Sequence, residues 1–497
     1  MKISFITIKI KSLFQPILDQ NERNFIKNNK LKDFNPEYNN IFIEVVSDYV
    51  YVKMIESLIK KHPNNNFIGL YASKFIVKRI DFLIIPYLYR YINYTRDRIK
   101  YKKLFITAGL TKIYTFSDIP VRSLLKNLFK SITYLRNVKT IKNLIASKYD
   151  DILIGDIIYD SYLRFENKPS FSINGSFYLF VFYMFRFFNS ISILENISEK
   201  YNFKKVFCVY ASYVTHGSIV RFFIKKNIEV YTSGTEMKLF SLHPNGHIYE
   251  SLKHSNYKND FSKISNQSAC IEASQKKLEQ RFNGIPDLNY MFTSSYQNNN
   301  YEEKLNLNNY GVVFMHDFFD CVHIYDGMIF NDFLHWIEYL IEISLKHNLK
   351  IAFKPHPLER SESKFVSDNL KLKYPDIKWL DKEISNNQIF KSDIKFGTSI
   401  YGTVLAELAY HGIKSLSAGD NPTSSFNFCH QAKSINEYEK LIINPDLIDT
   451  TNNYKEEVCK YYHMHYLNHK SDIELNISNE IISRRSIGSD SSILNFK

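Results

Sequence analysis

The sequence predicts an α/β fold made of two Rossmann-like, doubly wound domains that face a cleft. Three observations lead there. Strand-like and helix-like signals alternate along most of the 497 residues, which is the pattern of parallel sheets. In the second half the units are joined by short connections, as in a doubly wound sheet. In that same half the residues with chemical capacity fall just after each strand, where such sheets bind ligands.

Taken in order, residues 21–40 are polar and read as loop. Residues 41–46 are mostly apolar and suit a buried strand, and 51–61 have helical spacing. Further strand candidates are 67–71 and 103–107, followed by a long amphipathic helical stretch at 121–147. A short apolar run at 151–154 precedes Gly155-Asp156. Then come helix 177–201, strand 206–210, helix 217–226 and strand 228–232. Residues 240–310 are irregular apart from a helix at 268–282. In the second half, strands at 311–315, 350–353, 377–380, 394–396 and 414–417 alternate with helices at 330–347, 361–372, up to 390, 399–411 and 435–442. The Asn-rich stretch 298–309 reads as the linker. The expected domains are therefore 1–300 and 301–450, with a helical or irregular tail at 451–497.

Length fits two or three domains, and an apolar fraction of 44% allows a sizeable core. A net charge of +13 favours acidic partners such as nucleotides, phospholipid headgroups or acidic glycans. The charge is spread without a dense Lys/Arg block or a compact nucleic-acid motif, so nucleic acid is not expected as a partner. Five widely spaced cysteines without CxxC spacing argue for reduced thiols in a cytoplasmic setting and against a zinc site. Residues 1–14 alternate apolar and basic types and lack a signal-peptide core. The most apolar run, 177–188, is short and contains Arg186, so it reads as a buried or interfacial helix and not as a span. An anionic membrane surface, met peripherally, is an admissible partner.

The candidate site residues sit at strand ends. Lys354-Pro355-His356-Pro357 places a fixed charge and a hydrogen-bond donor in a backbone stiffened by two prolines, a suitable cradle for phosphate. Thr398-Ser399-Ile400-Tyr401-Gly402-Thr403 opens a helix with hydroxyls and glycine, which suits an anion, and Glu407 further along suits ribose hydroxyls. The same groups would serve equally as ordinary helix caps and a surface carboxylate. Ser417–Thr423, with Gly419, is a weaker third loop. His316-Asp317-Phe318-Phe319-Asp320 with His323 admits a metal reading, but without a second ligand cluster it reads better as a loop lining the cleft, with no metal and no cofactor beyond the substrate. In the first half, Asp156 and Asp160 are candidates for a general base, as are His216 and Asp317. Helix capping and ion pairing explain the two aspartates equally well. Arg221, Glu236 and Lys238 would line the acceptor side.

The segment from Lys354-Pro355-His356-Pro357 through Gly397-Thr398-Ser399 and Gly402-Thr403-Val404-Leu405-Ala406-Glu407 to Gly412 resembles the donor half of GT-B glycosyltransferases, particularly those that build bacterial capsule and other surface polysaccharides. The His-Pro pair resembles the motif of bacterial sialyltransferases and Kdo transferases. That resemblance implies that His356 meets the phosphate of a CMP-sugar, with Ser399 and Thr398 beside it. It implies a metal-independent glycosyltransferase acting on a nucleotide-sugar and a glycan or lipid-linked glycan. The segments 155–160 and 316–320 also look like parts of surface-glycan enzymes. The pattern departs from retaining members, whose paired glutamates have no counterpart here because Ser399 and Ile400 precede Glu407 at that distance. Two alternatives stay open: a polyol-phosphate transferase of the teichoic-acid type, and a non-catalytic scaffold.

Overall fold

A computed structural model describes residues 14–29, 31–72, 84–171, 173–234, 238–242, 252–285, 295–296, 305–448, 454–468 and 473–475. The alternating N-terminal stretch and most of the expected linker lie outside these residues.

Two six-stranded sheets organise the chain. The first contains β1 (Asn39–Val45), β2 (Asn65–Tyr71) and β3 (Lys112–Thr115). A small antiparallel hairpin of β4 (Lys148–Tyr149) and β5 (Ile152–Leu153) interrupts it in sequence. The sheet resumes with β6 (Phe203–Cys208), β7 (Glu229–Thr232) and β8 (Phe240–Leu242). The order is β3-β2-β1-β6-β7-β8, parallel throughout except for β8 at the edge. The second sheet contains β9 (Gly311–Phe314), β10 (Ile351–Lys354), β11 (Lys378–Trp379), β12 (Phe396–Ser399), β13 (Lys414–Ser417) and β14 (His430–Gln431). Its order is β11-β10-β9-β12-β13-β14, entirely parallel. Both sheets thus follow the doubly wound 3-2-1-4-5-6 order. In each, the chain reverses its direction of winding between two central strands, β1/β6 and β9/β12. In sheets of this order the carboxyl ends at the reversal are the usual ligand position.

The central strands are buried on both faces, so they read as near-continuous apolar runs. Close packing leaves no room for side chains at some positions. A Cβ on Gly397 in β12 would lie 2.4 Å from Leu408, and one on Gly155 would lie 1.5 Å from the carbonyl oxygen of Leu144. One continuous cluster of buried side chains includes Phe42 and Val206 of the first sheet, Val313 and Phe353 of the second, and Tyr159, Phe319 and Phe330 from the segments that join them.

Several sequence expectations shift. The stretch 21–40 is not all loop: Asp19 and Glu22 form a reciprocal capping box that starts the helix Gln20–Asn28. Residues 103–107 are the end of the helix Ile84–Ala108, and the strand follows at β3. A short apolar run fits either element, and helix length decides here. The stretch 121–147 divides into the helices Val121–Arg136 and Ile141–Ile145, because Thr140 caps a new start. The run 151–154 goes into the hairpin, not the parallel sheet. Strand β12 extends to Ser399, so the following helix begins later, at Val404–Tyr410. The helix Ile173–Lys200 contains a segment, Phe177–Lys200, long and apolar enough to cross a membrane, yet 61% of its most apolar window is buried, with Phe180, Tyr183, Met184, Phe187 and Phe188 in the core.

Candidate functional site

At the reversal point of the second sheet, β9 ends and His316 follows. Its Nε2 lies 3.1 Å from the Ser399 hydroxyl at the end of β12 and accepts from the Tyr401 N–H at 3.4 Å. The ring stacks on Phe333 at 4.7 Å and 17° and packs against Tyr401 at 4.4 Å. Burial, reinforced by the nearby His356, drives the His316 pKa down to about 3, so the ring is neutral. Accepting at Nε2 places its proton on Nδ1.

On the next strand over, His356 follows β10. Its Nδ1 accepts from the Leu358 N–H at 3.1 Å, which leaves Nε2–H as a donor. Burial lowers its pKa also, against the opposing pull of Asp317 and Asp320, so at neutral pH it donates as an uncharged imidazole. Pro357 beside it is exposed. Lys354 is buried at the end of β10 and donates to the Lys382 carbonyl at 2.6 Å. Burial lowers its pKa to about 8, with Asp381 and Glu383 opposing. His316, His356, Lys354 and Ser399 therefore share one edge of one sheet. Gly402 closes on Ser399: a Cβ there would sit 2.8 Å from its Oγ.

At the reversal point of the first sheet stands a second imidazole. Glu44, in β1, is fully buried; one carboxylate oxygen accepts from the Val209 N–H just past β6 at 2.9 Å, and the other lies 2.5 Å from His216 Nδ1. His216 is carried on a single π turn, Tyr213–Gly217, whose first residue has φ of +58°. Such turns and such backbone strain concentrate at functional positions. The Ser161 hydroxyl holds the turn by accepting from the Val214 N–H at 2.8 Å. With Nδ1–H given to Glu44, the lone pair of Nε2 is basic, and it has no hydrogen-bond partner among the described residues. Two buried hydroxyls nearby in sequence, Thr215 and, past β7, Ser233, also lack a partner among these residues.

The two edges abut. Ala211 and Ser212 after β6, Asp160, Arg221, Cys321 and His323 line a void of about 10 Å³, room for a water molecule at most. Asp160 accepts from the Cys321 thiol at 3.0 Å and the His323 backbone N–H at 3.0 Å, and its other oxygen is 2.7 Å from His323 Nδ1. Burial opposes charge on His323, but the Asp160 carboxylate outweighs it and holds the pKa above the usual value. Tyr401, packed on His316, donates to the Cys321 carbonyl at 2.7 Å. The larger groove of about 570 Å³ lies between the helices Phe333–Lys346 and Ser361–Lys373; Phe319 of the loop after β9 reaches it, but His316, Ser399, Glu44 and His216 do not line it.

Other expected site residues are occupied with structural bonds. Asp156 makes a buried two-pronged pair with Arg221 at 2.5 and 2.6 Å. Asp317 is held by Arg360 and caps its own turn through the Phe319 N–H, and Arg360 lowers its pKa against burial. The Thr398 hydroxyl bonds Leu416 and Tyr438 in the core. Glu407 accepts from Arg281 at 2.8 Å and Tyr296 at 2.5 Å, and Thr403 joins the same network. The edge residue Glu236 lies outside the described residues. Glu44 was not legible as a site residue, because the partner that employs it, His216, lies 172 residues away in the chain. Arg360 and Arg281 were passed over because their partners are distant in the chain.

No family model matches the chain and no curated protein matches it. Among solved structures it is similar to KpsC of Thermosulfurimonas dismutans, a beta Kdo 2,7 transferase (14% identity over 54% of this chain and 80% of that one, TM-score 0.31). It is also similar to a CDPS from Fluoribacter dumoffii (12%, 40% and 92%, TM-score 0.25) and to a glycosyltransferase from Rickettsia africae (10%, 93% and 100%, TM-score 0.24). Superpositions this loose carry no weight for function, and the architecture rests on the strand order itself.

Proposed function

We propose that the protein is a GT-B glycosyltransferase that binds a nucleotide-activated sugar at the carboxyl edge of the second sheet and passes the sugar to a hydroxyl of a glycan or lipid-linked glycan held against the first. The observation that carries this reading is the matched pair of reversal points: each sheet presents an imidazole where its order predicts a ligand, buried in the first sheet and half-buried in the second. The two differ in a useful way. His356 and its neighbour His316 are kept uncharged by burial, and His356 offers Nε2–H to a phosphate oxygen without a proton to lose. His216 offers a lone pair, with Glu44 fixing the tautomer.

In this mechanism the acceptor oxygen attacks the anomeric carbon of the donor. The acceptor proton passes to Nε2 of His216, and Glu44 stabilises the imidazolium that forms. The bond between the anomeric carbon and the phosphate oxygen breaks, and the nucleotide leaves with that electron pair. His356 and Lys354, with the loop of Ser399 to Thr403, stabilise the charge that develops there. The buried hydroxyls of Thr215 and Ser233 are groups that a polyhydroxylic acceptor would satisfy.

Calorimetry with CMP-, UDP-, GDP- and CDP-linked sugars tests the reading. One donor should bind, and His356→Ala should weaken it about 10–100-fold, the worth of one hydrogen bond to a charged group. Binding of none of the four, or equal binding by the variant, would overturn it. Phosphorus label from the donor should stay with the nucleotide; its appearance in polymer would mean polyol-phosphate transfer instead.

A further inference from the structure

The helix Val121–Arg136 has one face covered and, beside it, an apolar face that is exposed. Its buried face, with Asn127, Ser131 and Leu135, packs on the helix Ile173–Lys200, where Asn127 donates to Asn189 at 2.9 Å and to the Phe188 carbonyl at 3.3 Å. The other face carries Val121 (72% exposed), Leu125 (55%), Leu128 (37%) and Phe129 (69%). At 100° per residue these four fall within an arc of about 100°, a continuous stripe and not scattered exposure. Phe177 and Tyr178, near the start of the neighbouring helix, are exposed as well.

The charge around this stripe is one-sided. Between Asp118 and Asp150 the chain holds seven cations and no carboxylate: Arg122, Lys126, Lys130, Arg136, Lys139, Lys142 and Lys148. Lys130 is engaged over the Tyr149 and Phe188 rings, but the other six are exposed. Over half of the net charge of +13 therefore belongs to this one segment. A charge that looks evenly spread over the whole sequence is thus one-sided within this segment.

We propose that this face seats the protein on an anionic lipid bilayer, with Val121, Leu125, Leu128 and Phe129 in the headgroup–acyl boundary and Arg122, Lys126 and Arg136 on lipid phosphates. An apolar stripe edged by cations on one helix is the arrangement that lies in a membrane interface. A second copy of the chain is a poor occupant, since a two-fold contact would set each acid-free segment against its twin. The helix Ile173–Lys200, whose apolar run reads from sequence as buried or interfacial, packs behind it. The proposal does not depend on the transfer reaction.

Vesicle co-sedimentation tests it directly. The full chain should bind phosphatidylcholine vesicles containing phosphatidylglycerol, and should bind them several-fold more weakly at 0.5 M salt or when the anionic lipid is omitted, since ~1 kcal/mol of attraction per cation is screened. Replacing Arg122→Gln and Lys126→Gln together should weaken partitioning roughly 25-fold, about fivefold per cation. Leu125→Ser with Phe129→Ser should abolish the salt-resistant remainder. All four positions are exposed, so the fold should survive, and the salt and lipid dependence of the unaltered protein needs no variant. No binding, binding that the substitutions leave unchanged, or self-association in light scattering that Leu125→Ser with Phe129→Ser dissolves would each overturn the proposal.

Discussion

Replacing Glu44 by Gln isolates the chemistry of the first sheet from the binding of the second. The carboxylate is fully buried and makes two bonds, to the Val209 N–H at 2.9 Å and to His216 Nδ1 at 2.5 Å. A glutamine can keep the first with its carbonyl oxygen. Its amide then faces Nδ1 with N–H groups, so the imidazole must accept there and carry its proton on Nε2. The base is thereby turned into a donor without removing a single heavy atom. General-base catalysis is worth about 10²–10⁴-fold, or roughly 3–5 kcal/mol of barrier. Turnover should fall by that factor with labelled donor and saturating acceptor, while the donor Kd from calorimetry stays put. Because the pair acts as a unit, Glu44→Gln with His216→Gln should be no slower than either alone. Turnover within threefold of the parent, or a donor Kd that worsens in step with the rate, would refute the assignment of His216 and Glu44.

Two further expectations concern stability. Asp156→Ala strands the buried Arg221 guanidinium, whose side chain is 1% exposed, and should cost about 3–5 kcal/mol in urea unfolding; a loss under about 1 kcal/mol would show that the pair is not doing this job. For pH, His316 has a folded pKa of about 3, below an unfolded value of about 6.5, so the folded state binds fewer protons. Its contribution is intact above pH 6.5 and is lost as pH falls toward 3, at up to ~1.4 kcal/mol per unit. His316→Asn cannot titrate, so the stability gap between parent and variant should narrow as pH drops from 7 to 5. A gap that does not change with pH would contradict the neutral state of His316.

How much of this was legible in the sequence depends on how far apart the partners lie. The alternation of strand and helix is local, and so was the α/β reading, down to β9, β10 and β13. The three strand-end loops of the second sheet were also legible, because a Lys-Pro-His-Pro run or a hydroxyl-rich turn announces itself within a few residues. Ambiguity entered where one local pattern serves two elements. Residues 103–107 are an apolar run that finishes a helix, and Ser399 prolongs β12 where a cap was expected. Some carboxylates were visible as candidates but not their employment. Nothing near Glu407 in the chain reveals Arg281, 126 residues away, or Tyr296, 111 residues away.

The same distance explains why the Glu44–His216 pair was harder to see than the strand-end loops of the second sheet. Glu44 and His216 are 172 residues apart, and each looks ordinary where it stands: one interrupts an apolar strand, the other follows a strand in a polar turn. They meet because the order 3-2-1-4-5-6 makes the first strand of a sheet and its fourth into neighbours. Any chain that winds this way brings the residues of those two strand ends together, whatever their separation. A buried carboxylate in the first strand of such a sheet is therefore informative from sequence once the winding order is recognised: it must be satisfied, and the groups able to satisfy it are those at the end of the fourth strand. Here that search leads from Glu44 to the Val209 N–H and to His216. Applied to the second sheet it leads from His316 to Ser399, the pair found at the end of β9 and β12. One topological rule thus brings together both pairs of residues, which is why the proposed roles in donor binding and acceptor activation can be tested, and can fail, separately.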